Sequence, residues 1–387
     1  MLRTGDFDNR KVRDTEMKIL VMSVTAGQGH HQTAKAISDY LTGNGAECRT
    51  VDVLEYFAPA VRELVSTGYL VSTKHMPTAY GRFYELAENQ DINRDSVMSD
   101  FTLKIIGRKL SKLLSEYMPD AIICTHVFAA QILSRIKNFT GLSVGIITDF
   151  TIHPYWEDTE LDYYVTASEL LTLQANKKGI ESDRVLPIGI PIQEKFTVKL
   201  SKSEARAKLG IDDKLTVLIM SGSMGYGNLY TQVKKMDKLA ADFQIICVCG
   251  NNKKLKKRID AIRTDRKIYN HGYVDNIDIM MDAADVLVSK PGGLTISEAL
   301  AKRVPMILLK PIPGQEDRNT EFLLNNGVAM KVTKTFPIDV CLYQMLTNNW
   351  RYSLSQEIVK YVGKPFAAKN LGDFVIENAK NKASASD

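Results

Sequence analysis

Two glycine-bearing turns, about 195 residues apart, each follow a short apolar run and precede a helix-like stretch. The first is Thr25-Ala26-Gly27-Gln28-Gly29-His30, after the run Lys18 to Val24. The second is Ser221-Gly222-Ser223-Met224-Gly225, after Leu215 to Met220. A strand that ends in a glycine turn and feeds a helix brings backbone N–H groups and a helix N-terminus up to an anion. One such unit reads as a nucleotide-binding half. Two in tandem read as two facing Rossmann-like domains with a cleft between them. At 387 residues the chain is too long for one ordinary core, and length alone implies roughly two to three domains.

The rest of the chain keeps the same alternation. Strands are expected at Met17 to Thr25, Glu47 to Leu54, Ala121 to Thr125, Ser143 to Thr148, Tyr163 to Ala167 and Val185 to Ile188. In the second half they are expected at Leu215 to Met220, Gln244 to Cys249, within Lys267 to Tyr273, at Asp285 to Val288 and at Met306 to Leu309. Near-continuous apolar strands separated by helices predict an α/β fold with parallel sheets covered on both faces. The division that follows is a polar tail over 1–16, one Rossmann-like domain over 17–190, a second over 191–350, and a helical segment over 351–387 that can cross back to the first. The tail lacks an apolar core, so it reads as mobile and not as a signal peptide. No run approaches the roughly 18 apolar residues of a membrane-spanning helix, which predicts a cytoplasmic chain.

Five cysteines, mostly inside apolar runs and without a C-x-x-C pair, read as buried free thiols. The six histidines show no metal-ligand spacing, and the only D-x-D is Asp6-Phe7-Asp8 in the tail. No metal and no resident cofactor are expected. A net charge of +5 suits an anionic ligand or an anionic membrane surface and is too small to argue nucleic acid. No motif fixes an oligomeric state.

Four loops can carry chemistry. The first turn is neither a full G-x-G-x-x-G nor a P-loop, although Asp52 lies where a dinucleotide fold places its ribose acid. His30, at a helix N-terminus, is biased toward the neutral form that a base needs, or is simply a solvent-facing turn residue. In the second turn, Gly222 and Ser223 offer amides and a hydroxyl to a phosphate, or form an ordinary tight turn. The third is Ser289-Lys290-Pro291-Gly292-Gly293-Leu294-Thr295-Ile296-Ser297-Glu298-Ala299-Leu300. Here Gly292 and Gly293 clear space for a pyrophosphate, and a helix is expected from about Thr295, which caps it or bonds a phosphate oxygen. Glu298 accepts hydrogen bonds from two ribose hydroxyls, or serves its own helix as a capping-box residue. The fourth, Pro311-Ile312-Pro313-Gly314-Gln315-Glu316-Asp317-Arg318-Asn319, reads as an exposed polar loop at a strand's C-terminal end, where Gln315 and Glu316 suit sugar hydroxyls.

The run P-G-G-L-T-I-S-E-A, a strand, then P-x-x-G-Q-E-x-x-N resembles the donor half of glycosyltransferase family 28, inverting enzymes of the two-domain GT-B fold that use a UDP-sugar. In the first half, T-A-G-Q-G-H, then Met76-Pro77-Thr78-Ala79-Tyr80, then Ile147-Thr148-Asp149-Phe150 with His153 and Trp156, is similar to the diacylglycerol glycosyltransferases, which include monogalactosyldiacylglycerol synthases. The resemblance covers roughly Met17 to Val332. Gly27-Gln28-Gly29 departs from the triple glycine of the plant enzymes. The likeness implies UDP-glucose or UDP-galactose as donor and diacylglycerol as acceptor, with no metal. It implies that Glu298 holds the ribose, Gln315 and Glu316 the hexose, and Val274 the uracil through its backbone. Pro291, Thr295 and Asn319 complete the donor motif. Gly27, Gly29 and Trp156 fall on the acceptor side. His30, or else Asp149, is the implied base.

A lipid acceptor calls for a membrane contact. In Phe101 to Tyr117, Lys104, Arg108 and Lys112 recur every fourth residue beside Lys109, and leucines and isoleucines fill much of the remainder. This reads as a basic amphipathic helix on the inner leaflet, or as a surface helix whose apolar side packs on the sheet. Tyr69 to Tyr84 is a second anchor candidate. Three other readings stand beside the main one: a transferase acting on an undecaprenyl-linked peptidoglycan precursor, a UDP-sugar 2-epimerase, and a nicotinamide-dependent oxidoreductase. The last leaves Pro291 to Glu298 and Gly314 to Glu316 without a role.

Overall fold

The computed structural model describes residues 16–25, 28–56, 100–222 and 228–384. The first half holds β1 (Lys18–Ser23), β2 (Glu47–Asp52), β3 (Ala121–Cys124), β4 (Leu142–Ile146), β5 (Tyr163–Val165) and β6 (Val185–Leu186). They form one parallel sheet in the order β2-β1-β3-β4-β5-β6. The second half holds β7 (Thr216–Met220), β8 (Gln244–Val248), β9 (Ile268–His271), β10 (Val286–Ser289), β11 (Met306–Leu308) and β12 (Ala329–Lys331). Their order is β12-β11-β10-β7-β8-β9. The central strands β3, β4, β7 and β8 are buried along their whole length, which is why they read as unbroken apolar runs. Strand order reverses between β1 and β3 in one sheet and between β7 and β10 in the other. Open α/β sheets bind ligands at such reversals, beyond the carboxyl ends of the strands. The glycine turns follow β1, β7 and β10, so the sequence had placed them at both reversals.

Boundaries differ from expectation where a turn intervenes. The second strand stops at Asp52, because Val53–Tyr56 winds into a short 3-10 helix. Strand β12, three residues long and half-buried, carries no periodic signal and was not foreseen.

The chain passes between the halves twice. The first passage, near Gly189 to Ile192, leads to Lys302, whose ammonium lies 2.7 Å from Asp282 and also meets the Val198 carbonyl. That fully buried pair pins the connecting segment onto the second half. The second passage links the helix Asn349–Val362 to the last helix, Ala367–Ser384. Val359 and Val362 lie in the core between the halves, with Phe150, Leu171, Met220 and Leu300. Leu371, Val375 and Ala379 instead join the core beneath β1, β3 and β4. There Gly372 lets the Tyr40 ring approach, for a Cβ would lie 2.2 Å from it. The two passages touch. Gly189 has a φ of +97°, and a Cβ on it would fall 2.4 Å from Lys364 Cβ.

Candidate active site

His30 lies in the first turn of the helix Gln28–Gly43. Its Nδ1 is 2.8 Å from the Thr125 carbonyl oxygen and 3.1 Å from Thr148 Oγ1. A carbonyl only accepts, so Nδ1 carries the proton and Nε2 keeps its lone pair. Burial pushes the imidazole down to about 4, and neighbouring His31 pushes the same way, against the Thr125 hydrogen bond. His30 is therefore neutral at physiological pH. Its ring meets His126 edge-on at 4.6 Å. Asp52 is occupied in closing the turn: it accepts from Thr25 Oγ1 and, at 2.9 Å, from the Leu54 amide. The geometry thus gives Asp52 a local role in place of the ribose contact of a dinucleotide site.

Across the gap, the helix Gly293–Ala301 begins two residues before the expected Thr295. Gly292 is its N-cap and brings no side-chain bond, so the first-turn amides have no cap. Thr295 sits inside that turn and does not cap it. Glu298 lies a turn further on, too far along for a capping box. Burial lifts its carboxyl up to about 8, with Asp278 adding and Lys195 opposing. Among the described residues it engages no hydrogen-bond donor. Gly222 ends β7 with a φ of +70°, a conformation that favours glycine. Val274 follows β9 and packs, half-buried, on the core between the halves.

The seam itself was only partly foreseen. Gln315 and Glu316 belong to the first turn of the helix Gln315–Asn325, not to an exposed loop, because Gly314 at φ +101° starts the helix there. Gln315 and Asn319 are then four residues apart on one face. They grip both oxygens of Asp149: Gln315 Nε2 donates to Oδ2, and Asn319 Nδ2 donates to Oδ1 at 2.9 Å. Asn319 is fully buried and also donates to the Pro291 carbonyl at 3.0 Å, while its Oδ1 accepts from the Phe150 amide at 2.8 Å. Burial raises Asp149 to about 6, with Glu316 adding and the two amides opposing. Glu316 lies 3.2 Å from Lys290 Nζ and accepts from the Ile312 amide at 2.7 Å. Gly293 abuts the other half so closely that a Cβ would sit 2.1 Å from the Thr148 carbonyl oxygen. Thr148 therefore touches His30 with its side chain and the Gly293 helix start with its backbone. Neither Thr148 nor Thr125 was singled out as a site residue, since a threonine at a strand end carries no signal of its own.

Three calls fare differently. Trp156 is 5% exposed and belongs to the core of the first half, packed under Gly145, so it does not line the gap. Arg108, Lys109 and Lys112 are exposed on the helix Asp100–Tyr117, but Leu110, Leu113, Leu114 and Tyr117 are buried against the sheet. The described part of that helix thus spends its apolar face on the core and has none left for a bilayer. Gly27, Ser223, the Met76 to Tyr80 motif and the Tyr69 to Tyr84 stretch lie outside the described residues, as does the side chain of Lys104. No described helix is long and apolar enough to cross a membrane.

Comparison with known proteins agrees with this geometry. Residues 30–192 match the family model of monogalactosyldiacylglycerol (MGDG) synthase, and residues 216–336 match the glycosyltransferase family 28 C-terminal domain. A processive diacylglycerol beta-glucosyltransferase of Bacillus pumilus (strain SAFR-032) is 28% identical, covering 95% of this chain and 96% of that one. A protein of the same name from Bacillus thuringiensis (strain Al Hakam) is 27% identical over 93% of each chain. Among solved structures, MurG of Acinetobacter baumannii aligns with a TM-score of 0.63 at 13% identity, over 94% of this chain and 99% of that one. HepE of Anabaena, crystallised with UDP-glucose, aligns with a TM-score of 0.54 at 13% identity, over 95% and 100%. These likenesses give the fold its name, GT-B. The first half is thus similar to the MGDG synthase domain and the second to the C-terminal domain of glycosyltransferase family 28, in a GT-B chain that aligns along nearly its whole length with relatives named diacylglycerol glucosyltransferases.

Proposed function

We propose that the chain transfers a hexosyl unit from UDP-glucose or UDP-galactose to the free hydroxyl of diacylglycerol, with inversion, at the inner face of the cell membrane. The observation that carries the reading is Thr148, which joins a tautomer-locked base to an uncapped helix N-terminus across the seam. The acceptor hydroxyl loses its proton to His30 Nε2 as its oxygen attacks the anomeric carbon. The bond from that carbon to the β-phosphate oxygen breaks, and the electron pair leaves with UDP. Amides of Gly292, Gly293 and Thr295, with Gly222 and Ser223, meet the growing charge, and the helix dipole adds to them. Peptide amides suffice for that step, so it calls for no metal. Glu298 accepts from the ribose hydroxyls and Val274 holds the uracil by its backbone. Gln315, whose second amide hydrogen is left over from Asp149, reads the hexose together with Glu316. Asp149 has both oxygens engaged, which favours a joining role for it and leaves the base to His30. The relatives' names favour glucose over galactose.

The deciding measurement is product analysis with diacylglycerol vesicles and a panel of UDP-sugars. Glucosyl- or galactosyl-diacylglycerol is the expected product. Transfer only to a polyprenyl-linked acceptor, 2-epimerisation of a free UDP-sugar, or binding of NAD without UDP would each sink the reading.

A pH dependence follows from Glu298. Two ribose hydroxyls need a carboxylate to accept from, whereas burial keeps Glu298 protonated until about pH 8. UDP-glucose affinity is expected to rise about tenfold per pH unit from pH 6 and to level off above 8, because binding must expel a proton. Calorimetry in buffers of different ionisation enthalpy reads the release directly. Glu298→Gln should bind weakly and without that slope; a parental slope in the variant would remove Glu298 from the ribose.

A further inference from the structure

Half of the large apolar side chains exposed among the described residues fall between Phe336 and Phe366. The helix Asn349–Val362 carries Trp350, Leu354, Ile358 and Tyr361 at spacings of four, four and three, which puts them on one face. Trp350 is 72%, Leu354 45% and Tyr361 62% exposed, and Ile358 is half-buried. Phe336, Tyr343 and Phe366 are exposed on the adjoining segments. An apolar stripe this well aligned is costly in water and marks a contact surface.

We infer that this stripe docks the protein on an anionic bilayer. Three observations select that occupant. Tryptophan and tyrosine beside aliphatic side chains suit the boundary between headgroups and acyl chains. Between Lys331 and Lys369 six basic residues stand against two acidic ones, and with Lys364 and Lys369 paired to Glu169 and Asp373 the segment keeps a surplus of +2. The stripe also opens inward. A hollow of about 340 Å³ lined by Leu170, Ile358 and Tyr361 adjoins one of about 530 Å³ lined by Phe150, Ile152 and Phe322, and the two share Leu170 and Asn326. That groove runs from the stripe to the residues directly after Asp149, so a lipid drawn from the bilayer meets the seam. The inference rests on the transferase reading for what the lipid is, and on the stripe alone for where the protein sits.

The chain has two tryptophans, and Trp156 is buried while Trp350 is not. Fluorescence of the full-length protein therefore reports the stripe. With vesicles of equal parts phosphatidylcholine and phosphatidylglycerol, and no nucleotide, emission should shift to the blue and be quenched by brominated lipid. Both effects should vanish in Trp350→Phe. Co-sedimentation of a variant carrying Trp350→Ser, Leu354→Ser and Tyr361→Ser should fall by roughly tenfold or more, with the loss largest at high salt, where screening removes the attraction of the remaining basic residues. Unchanged co-sedimentation, or quenching that survives Trp350→Phe, overturns the inference. So does a solution dimer in which Trp350 is already blue-shifted before lipid is added, for then a second copy covers the stripe. Transfer to diacylglycerol in detergent micelles separates the two readings. If vesicle docking is as described and no glycolipid forms, the transferase reading falls alone. If glycolipid forms at the parental rate and docking ignores the stripe, the inference falls alone.

Discussion

His30→Ala is expected to lower kcat by about two to four powers of ten, the usual worth of a positioned general base, while UDP affinity stays near that of the parent. The split follows from the geometry. His30 stands on the first half, its Nδ1 fixed by the Thr125 carbonyl, whereas the groups assigned to UDP stand on the second. Removing the ring leaves the amides of the Gly293 turn and the Glu298 carboxylate in place. Single-turnover rates with saturating UDP-glucose, paired with UDP titration, measure both quantities. A large loss of UDP affinity would contradict the assignment, and so would a kcat within a few-fold of the parent. The same lock explains how a weakly basic imidazole serves. The protein presents Nε2 unprotonated, and the charge it acquires forms beside the negative charge leaving with UDP.

Gly293→Ala is expected to cut turnover about a hundredfold, the order of loss that a misplacement of about 1 Å can cause. Its Cβ would sit 2.1 Å from the Thr148 carbonyl oxygen, and backbone cannot step aside as a side-chain tip can. The halves must part by enough to clear a methyl group, and that carries the helix N-terminus away from His30. Gly292→Ala is the matched control. A Cβ there meets nothing within 4 Å, and its φ of −73° suits any residue. It leaves the seam intact and so should lower only UDP-sugar affinity, where the missing side chain serves the pyrophosphate. Gly292→Ala should melt near the parental temperature, whereas Gly293→Ala, which forces open a buried seam, should melt lower. Equal loss of kcat in the two would mean that contact with Thr148 does not set the geometry.

Much of this arrangement was legible before any coordinates. The apolar runs marked nearly every strand because both faces of each sheet are covered. The glycine turns marked the reversals of strand order, where Gly222 takes a positive φ and Gly293 lets the backbone of the other half come close. The motif after β10 marked the helix that carries Glu298. What sequence could not convey was pairing across the seam. Gln315 looked like a sugar reader in a loop and Asn319 like the last residue of the donor motif, yet the Gly314 turn makes both helical, and spacing of four aims both at Asp149. Trp156 sits in a motif and still belongs to the core, because Gly145 clears a place for its ring. The basic helix gave its charge pattern correctly and its role only in part. Periodicity says which side of a helix is apolar and is silent on whether protein or lipid covers it.

The contact between Gly189 and Lys364 bears on how substrate enters. Two strands of covalent tether lie against each other at that point, like the two pins of a door set on one edge. Swinging about that line strains neither tether, whereas sliding would drive Lys364 into the glycine. Any parting of the lobes about that line must break the hydrogen bonds of Asn319 and Gln315 to Asp149, which join one lobe to the other.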